Sequence, residues 1–175
     1  MNRYLMFLLI ISSFANAQDE TRRYRQAYEY LNSCEIVKDI DKKACRRGDF
    51  STLNVYDSIQ PLSLLILNPD IIEDDLANEN DDVTMFITNH DMNNNFNPYP
   101  VDDLFMKSSS DFYVVFSKPA DNYLLAEVVI KKKEMKREEL TYDKLIEFNR
   151  SIGFLFIFDN EGKLLKVRKS INHYN

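Results

Sequence analysis

Hydrophobic and polar positions are most regularly arranged near the C-terminus of the chain. Ile152 to Phe158 is an apolar run, Asp159-Asn160-Glu161-Gly162 interrupts it, and Lys163 to Lys169 mixes apolar and basic residues behind the break. Two β-forming runs around a turn that ends in glycine predict a β-hairpin. With Asn160-Glu161-Gly162 as a three-residue loop, Gly162 takes the left-handed position and Asp159 faces Lys163. That register pairs Ile157 with Leu165 and Leu155 with Val167 on one face. It sets Phe154, Phe156 and Phe158 opposite Leu164, Lys166 and Arg168 on the other. A loop one residue longer exchanges these pairings. In either register the first strand is apolar on both sides, as expected of an interior strand covered by a layer on each face.

The rest of the chain supplies those layers. From Asp19 to about Ile40, Tyr24, Ala27, Tyr28, Leu31 and Cys34 recur at three- and four-residue steps among charged positions, which predicts an amphipathic helix capped by Asp19 or Thr21. Its tyrosine-rich stripe needs a partner surface, and the sheet is the one available. Asp39 to Asp49 is a charged connection, and Phe50 to Ile59 reads as a strand with Leu53 and Val55 on one face. Pro61 ends that run, and Leu62 to Leu67 is a second strand piece or a helical turn. Phe112–Phe116 and Tyr123–Ile130 form a second hairpin with a longer loop, followed by the basic run Lys131 to Arg137. Glu138 to Asn149 reads as a short helix or an extended connection.

Asn68 to Ser110 is the least regular stretch. Asp70 to Asp82 contains seven acidic residues and no basic one, and asparagines are dense from Asn89 to Asn97. Within it, Val83 to Thr88 reads as one short strand. A long polar excursion inside a compact domain is usually functional or mobile, and this composition points to mobility.

Composition sharpens the setting. A chain of 175 residues suits one domain with a sizeable core. The first 17 residues read as a cleaved secretory signal: a basic start with Arg3, an apolar run from Leu5 to Phe14, and Ala15-Asn16-Ala17 before Gln18. The apolar run is short for a membrane span, and nothing later resembles one. The mature chain is therefore expected to be periplasmic or secreted, from a bacterial source. Losing Arg3 from the 22 basic residues leaves 21 against 28 acidic, a net charge of −7, which argues against nucleic-acid binding. Three glycines argue against a nucleotide-cradling loop or a large all-β design. Cys34 and Cys45, in an oxidising compartment, are expected to form a disulfide. A loop that short contributes about 2–3 kcal/mol. Two unpaired buried thiols are the alternative.

Candidate chemistry is sparse. The two histidines, His90 and His173, lack metal-ligand spacing, and the acidic stretch lacks the glycine and terminal glutamate of a twelve-residue calcium loop, so no metal is expected. There is no Gly-x-Ser-x-Gly elbow, and pairs such as Asp74-Asp75, Asp81-Asp82 and Asp102-Asp103 sit in polar surroundings that leave carboxylates hydrated. No cofactor motif is present. Arg47-Gly48-Asp49 is a chance match in an acidic chain, and the sequon Asn149-Arg150-Ser151 matters only in a eukaryotic secretory route. The basic run Lys131 to Arg137 reads as a charged strand end that discourages edge pairing.

Together these signals predict an α+β fold, an N-terminal helix on a mostly antiparallel sheet of about four to six strands. That order is similar in architecture to cone-shaped folds of the nuclear-transport-factor and cystatin kinds, without diagnostic residues that carry a function across. The expected role is a non-enzymatic binding module for a protein or small ligand. Phe96, Tyr99, Phe105 and His90 of the irregular segment are its contact candidates. The competing reading is a small hydrolase-type enzyme with a pocket between helix and sheet. It gains if His90 clusters with Asp91, Asp102 or Asp103.

Overall fold

The computed structural model describes residues 19–39, 52–77, 82–100, 110–136, 140–147 and 149–174. Helix α1 covers residues 19–31 and is followed by α2 (Cys34–Val37), β1 (Asn54–Val55) and β2 (Ser58–Ile59). A 3₁₀ turn at Leu64–Ile66 leads into α3 (Pro69–Asp75), α4 (Val83–Asn93) and β3 (Tyr99–Pro100). The chain ends with β4 (Phe112–Phe116), β5 (Tyr123–Ile130), α5 (Tyr142–Ile146), β6 (Arg150–Phe158) and β7 (Leu164–His173). The fold is α+β. Its five-stranded sheet has the order β1-β4-β5-β6-β7, parallel at β1–β4 and antiparallel elsewhere, and β2 pairs with β3 in a separate ladder. Among the described residues no helix is long and apolar enough to cross a membrane.

β6 is interior, and both its faces are covered. Ile152, Phe154, Phe156 and Phe158 join Phe116 and Leu124 in one buried cluster that also contains Tyr24, Ala27 and Leu31 of α1. Leu155 belongs to a second cluster with Leu125 and Val129, closed by Leu64, Ile66, Ile72 and Leu145 from the turn, α3 and α5. Alternation along the strands puts the two clusters on opposite faces of the sheet. Full burial of each phenylalanine contributes about 1.5–3 kcal/mol, so this strand is the energetic centre of the molecule. α1 is also fastened at the hairpin tip. Gln26 donates to the Gly162 carbonyl and accepts from the Leu164 amide, and Arg22 donates to the Glu161 carbonyl.

The hairpin loop matches the sequence expectation, but the register beyond it does not. Gly162 is left-handed (φ +72°), the Asp159 amide donates to the Lys163 carbonyl, and Phe158 pairs with Leu164. A bulge then leaves Leu165 unmatched, so Ile157 pairs with Lys166, Phe156 with Val167 and Leu155 with Arg168. The expected Ile157–Leu165 and Leu155–Val167 pairs do not form. The physical reason is electrostatic. The bulge turns Leu165 outward (64 % exposed) and brings Lys166 and Arg168 to the face occupied by α3. There both hydrogen-bond the carboxylate of Asp75, Arg168 through Nε at 2.8 Å.

Other expectations need correction. The Phe50–Ile59 strand is two two-residue strands: β1 lies along β4, and a bend at Asp57 sends β2 to β3. Val83–Thr88 is not a strand but the start of α4. The Asp82 carboxylate caps it by accepting from the Thr84 and Met85 amides, and Val83, Phe86 and Ile87 lean inward at helical spacing. Leu62–Leu67 holds the 3₁₀ turn, and the 138–149 stretch holds α5. The basic run follows β5, a central strand, so it guards no sheet edge. Lys131 pairs with Asp111 at 3.2 Å and Lys132 donates to the Glu147 carbonyl. Arg137, Cys45, Phe105 and the predicted signal segment lie outside the described residues, and with Cys45 the expected disulfide does too.

Two positions test this construction. A Cβ at Gly153 would sit 2.1 Å from the Ile66 carbonyl oxygen, a backbone atom that cannot swing away. Gly153→Ala is expected to lower stability by about 2–3 kcal/mol in urea unfolding, whereas Leu165→Ala at the outward bulge should stay within about 0.5 kcal/mol. Burial opposes ionisation of Asp75, but hydrogen bonds and charge from Lys166 and Arg168 outweigh it and hold the carboxyl below its ordinary range. A lowered carboxyl contributes stability that is present above about pH 3.9 and is lost as pH falls through the folded-state value. Asp75→Asn should therefore flatten the fall in urea midpoint between about pH 5 and pH 2.

Candidate functional site

The 3₁₀ turn, the start of α3 and α4 enclose an open groove of about 780 Å³ on the α3–α5 side of the sheet. Local sequence fixes each wall. Ser63 caps the turn, its hydroxyl accepting from the Leu65 amide, and Asn68 caps α3 ahead of Pro69 at the first helical position. The walls are mainly Leu65, Pro69, Val83, Ile87 and Met92, with Thr84, Thr88, Asp91 and Asn95 as polar groups. Leu65 and Met92 are 71 % and 74 % exposed, unusual for large apolar side chains flanking one concavity.

Asp91 is the keystone. Its Oδ2 accepts from the Ser63 hydroxyl (2.5 Å), and its Oδ1 accepts from the Leu64 amide (3.2 Å) and from His90 Nδ1 (3.0 Å). One carboxylate therefore pins α4 to the turn and fixes the groove's width. It also lines a second cavity of about 170 Å³, bounded by Pro61, Leu62, Ser63, Asn94 and Asn95. The His90 side chain is 7 % exposed, with its ring 5.9 Å from that of Tyr123. Burial, followed by the carboxylates of Asp121 and Asp91, pushes the Tyr123 phenol up to about 12.

A second polar cluster lies deeper. Glu127, fully buried on β5, accepts from the hydroxyls of Tyr142 (2.7 Å), Ser151 (2.5 Å) and Tyr174 (2.6 Å). A buried carboxylate is tolerated only when its oxygens are hydrogen-bonded, and three hydroxyl donors meet that need. The cluster ties α5 and the segment after β7 to the sheet. Its enclosure makes it a structural anchor.

No family model matches this chain, nor does any curated protein or solved structure.

The contact candidates read from the sequence are scattered across the molecule. His90 stands beside the groove through Asp91, whereas Phe96 packs, partly buried, against the aromatic cluster on the other face of the sheet. Tyr99 contributes backbone to the β2–β3 ladder, opposite Ile59. Phe105, Asp102 and Asp103 lie outside the described residues. Among the described residues no group of three or more His, Cys, Asp and Glu side chains is placed to hold a metal ion. Sequence reasoning missed Leu65, Met92 and Glu127. For Glu127 a signal existed, a lone carboxylate inside the apolar run Tyr123–Ile130.

The Glu127 cluster makes an alkaline prediction. Burial first, and then the Glu127 carboxylate, push the phenols of Tyr142 and Tyr174 well above the ordinary tyrosine range. An acid whose folded-state value is raised contributes stability that is complete below about pH 10 and is lost as pH rises further, because the unfolded chain ionises first. Stability should fall by about 1.4 kcal/mol per pH unit for each phenol that the fold keeps protonated. Urea unfolding from about pH 8 to pH 11 should show a shallower decline in the Tyr142→Phe/Tyr174→Phe double variant.

Proposed function

We propose that this protein is a secreted or periplasmic binding module, and that the groove beside α4 holds a small ligand with an apolar body. The groove itself carries this reading. Its volume of about 780 Å³ lies within the range of about 300–1,000 Å³ typical of small-molecule sites. Its mostly apolar walls and few convergent polar groups have the composition of such sites. Met92 at the rim adds an adaptable side chain suited to varied apolar shapes. The N-terminal signal pattern, Arg3, Leu5–Phe14 and Ala15-Asn16-Ala17, supports export.

One observation favours a hydrolase: His90 and Asp91 are in contact. The Ser63 hydroxyl, however, donates to Asp91 and not to the imidazole, so the histidine does not stand as a base on this hydroxyl. Binding accounts for the groove without further parts.

The probe for this reading is N-phenyl-1-naphthylamine, an uncharged apolar dye that brightens when it leaves water. Added to the full processed chain, it is expected to bind saturably, one per protein. Thr84→Trp, at an exposed position of α4 facing the groove, fills that space and is expected to weaken binding by about tenfold or more, equivalent to about 1.4 kcal/mol. The urea midpoint should be unchanged. Absence of saturable binding, or equal binding by the variant, overturns the proposal.

A further inference from the structure

We infer that the ligand of this groove carries a cationic amine at the end of its apolar body, an inference that rests on the binding reading above. Two cavities meet at one carboxylate. The large apolar groove and the small polar cavity share Asp91 and Asn95. Among the described residues lining either cavity, Asp91 alone bears a formal charge. A carboxylate offers about four acceptor positions. Ser63, Leu64 and His90 occupy three of them. The Asp91 side chain is 31 % exposed, and among the described residues His90 is the only basic group within ion-pair distance of it. The junction thus keeps one acceptor position and a negative charge that no lysine or arginine among those residues balances. An ammonium group there takes the open acceptor position, hydrogen-bonds Asn95, and leaves its hydrocarbon chain along Val83, Ile87 and Met92. A carboxylate end meets repulsion from Asp91, and a neutral hydroxyl makes the hydrogen bond without the charge.

The test displaces bound N-phenyl-1-naphthylamine from the full processed chain with octylamine, octanol and octanoate, each below its aggregation concentration. It is run at about pH 8, where an alkylamine is protonated and a carboxylic acid is ionised. Octylamine is expected to displace the dye at a concentration about tenfold or more below that of octanol, with octanoate weakest. Asn95→Lys, at an exposed position bordering both cavities, supplies an ammonium from the protein and is expected to abolish the amine preference, each displacement being scaled to the variant's own dye affinity. This variant leaves Asp91 and its three structural hydrogen bonds in place. Equal displacement by octylamine and octanol in the unsubstituted protein overturns the amine assignment and leaves the groove reading standing. An amine preference that survives in Asn95→Lys places the amine elsewhere on the acidic surface and also overturns it. Failure of the dye to bind at all removes the groove reading and this inference together.

Discussion

Burial of both faces of β6 is the constraint on which the other layers are built. A strand with Phe154, Phe156 and Phe158 on one side and Leu155 and Ile157 on the other cannot leave either side in water. One layer is α1, whose Tyr24, Ala27 and Leu31 fill the aromatic side. The other is assembled from short pieces, the 3₁₀ turn, α3, α4 and α5, none long enough to be stable alone. Those pieces are held by caps and by single polar contacts to the sheet. Gly153 lets the Ile66 carbonyl come down onto β6, and Asn172 donates to that same carbonyl at 2.9 Å.

Three carboxylates fasten this composite layer in three ways. Asp75 is paired with Lys166 and Arg168, which the bulge at Leu165 delivers to its face. Glu127 is neutralised by no lysine or arginine among the described residues and relies on hydroxyl donors from Tyr142, Ser151 and Tyr174. Asp91 holds α4 against the turn yet remains partly open to water. The first two are shut away from water, Asp75 with 5 % of its side chain exposed and Glu127 with none. Asp91 is 31 % exposed, at the junction of two cavities, and that difference separates a carboxylate that borders open space from two structural anchors.

The groove is a consequence of the same assembly. α4 buries none of its residues fully and leans on the second cluster only through Val83, Phe86 and Ile87. Its other side, with Met85 and Met92, remains in solvent. A helix set back from the sheet by a polar pin leaves a concavity between itself and the turn, and Leu65 and Met92 flank that concavity as exposed apolar residues.

Strands with strong local patterns needed nothing beyond the order of their residues. Phe112–Phe116 and Tyr123–Ile130 have the bounds read from their apolar runs, and Asn160-Glu161-Gly162 dictates its own turn because only Gly162 adopts the left-handed position without strain. The helical stripe from Tyr24 to Leu31 was legible for the same reason. Features that depend on distant partners were settled only by packing in three dimensions. The register after Phe158 shifts at Leu165, and Asp75, some ninety residues away in sequence, makes that face favourable for Lys166 and Arg168. Val83–Thr88 is rich enough in β-forming residues for a strand, but Asp82 caps it as a helix and the second cluster offers it a helical footing. The parallel pairing of β1 with β4 leaves no local trace. The groove was illegible because its walls come from separate segments, and a carboxylate such as Asp91 reads as an ordinary hydrated acid until its neighbours in space are known.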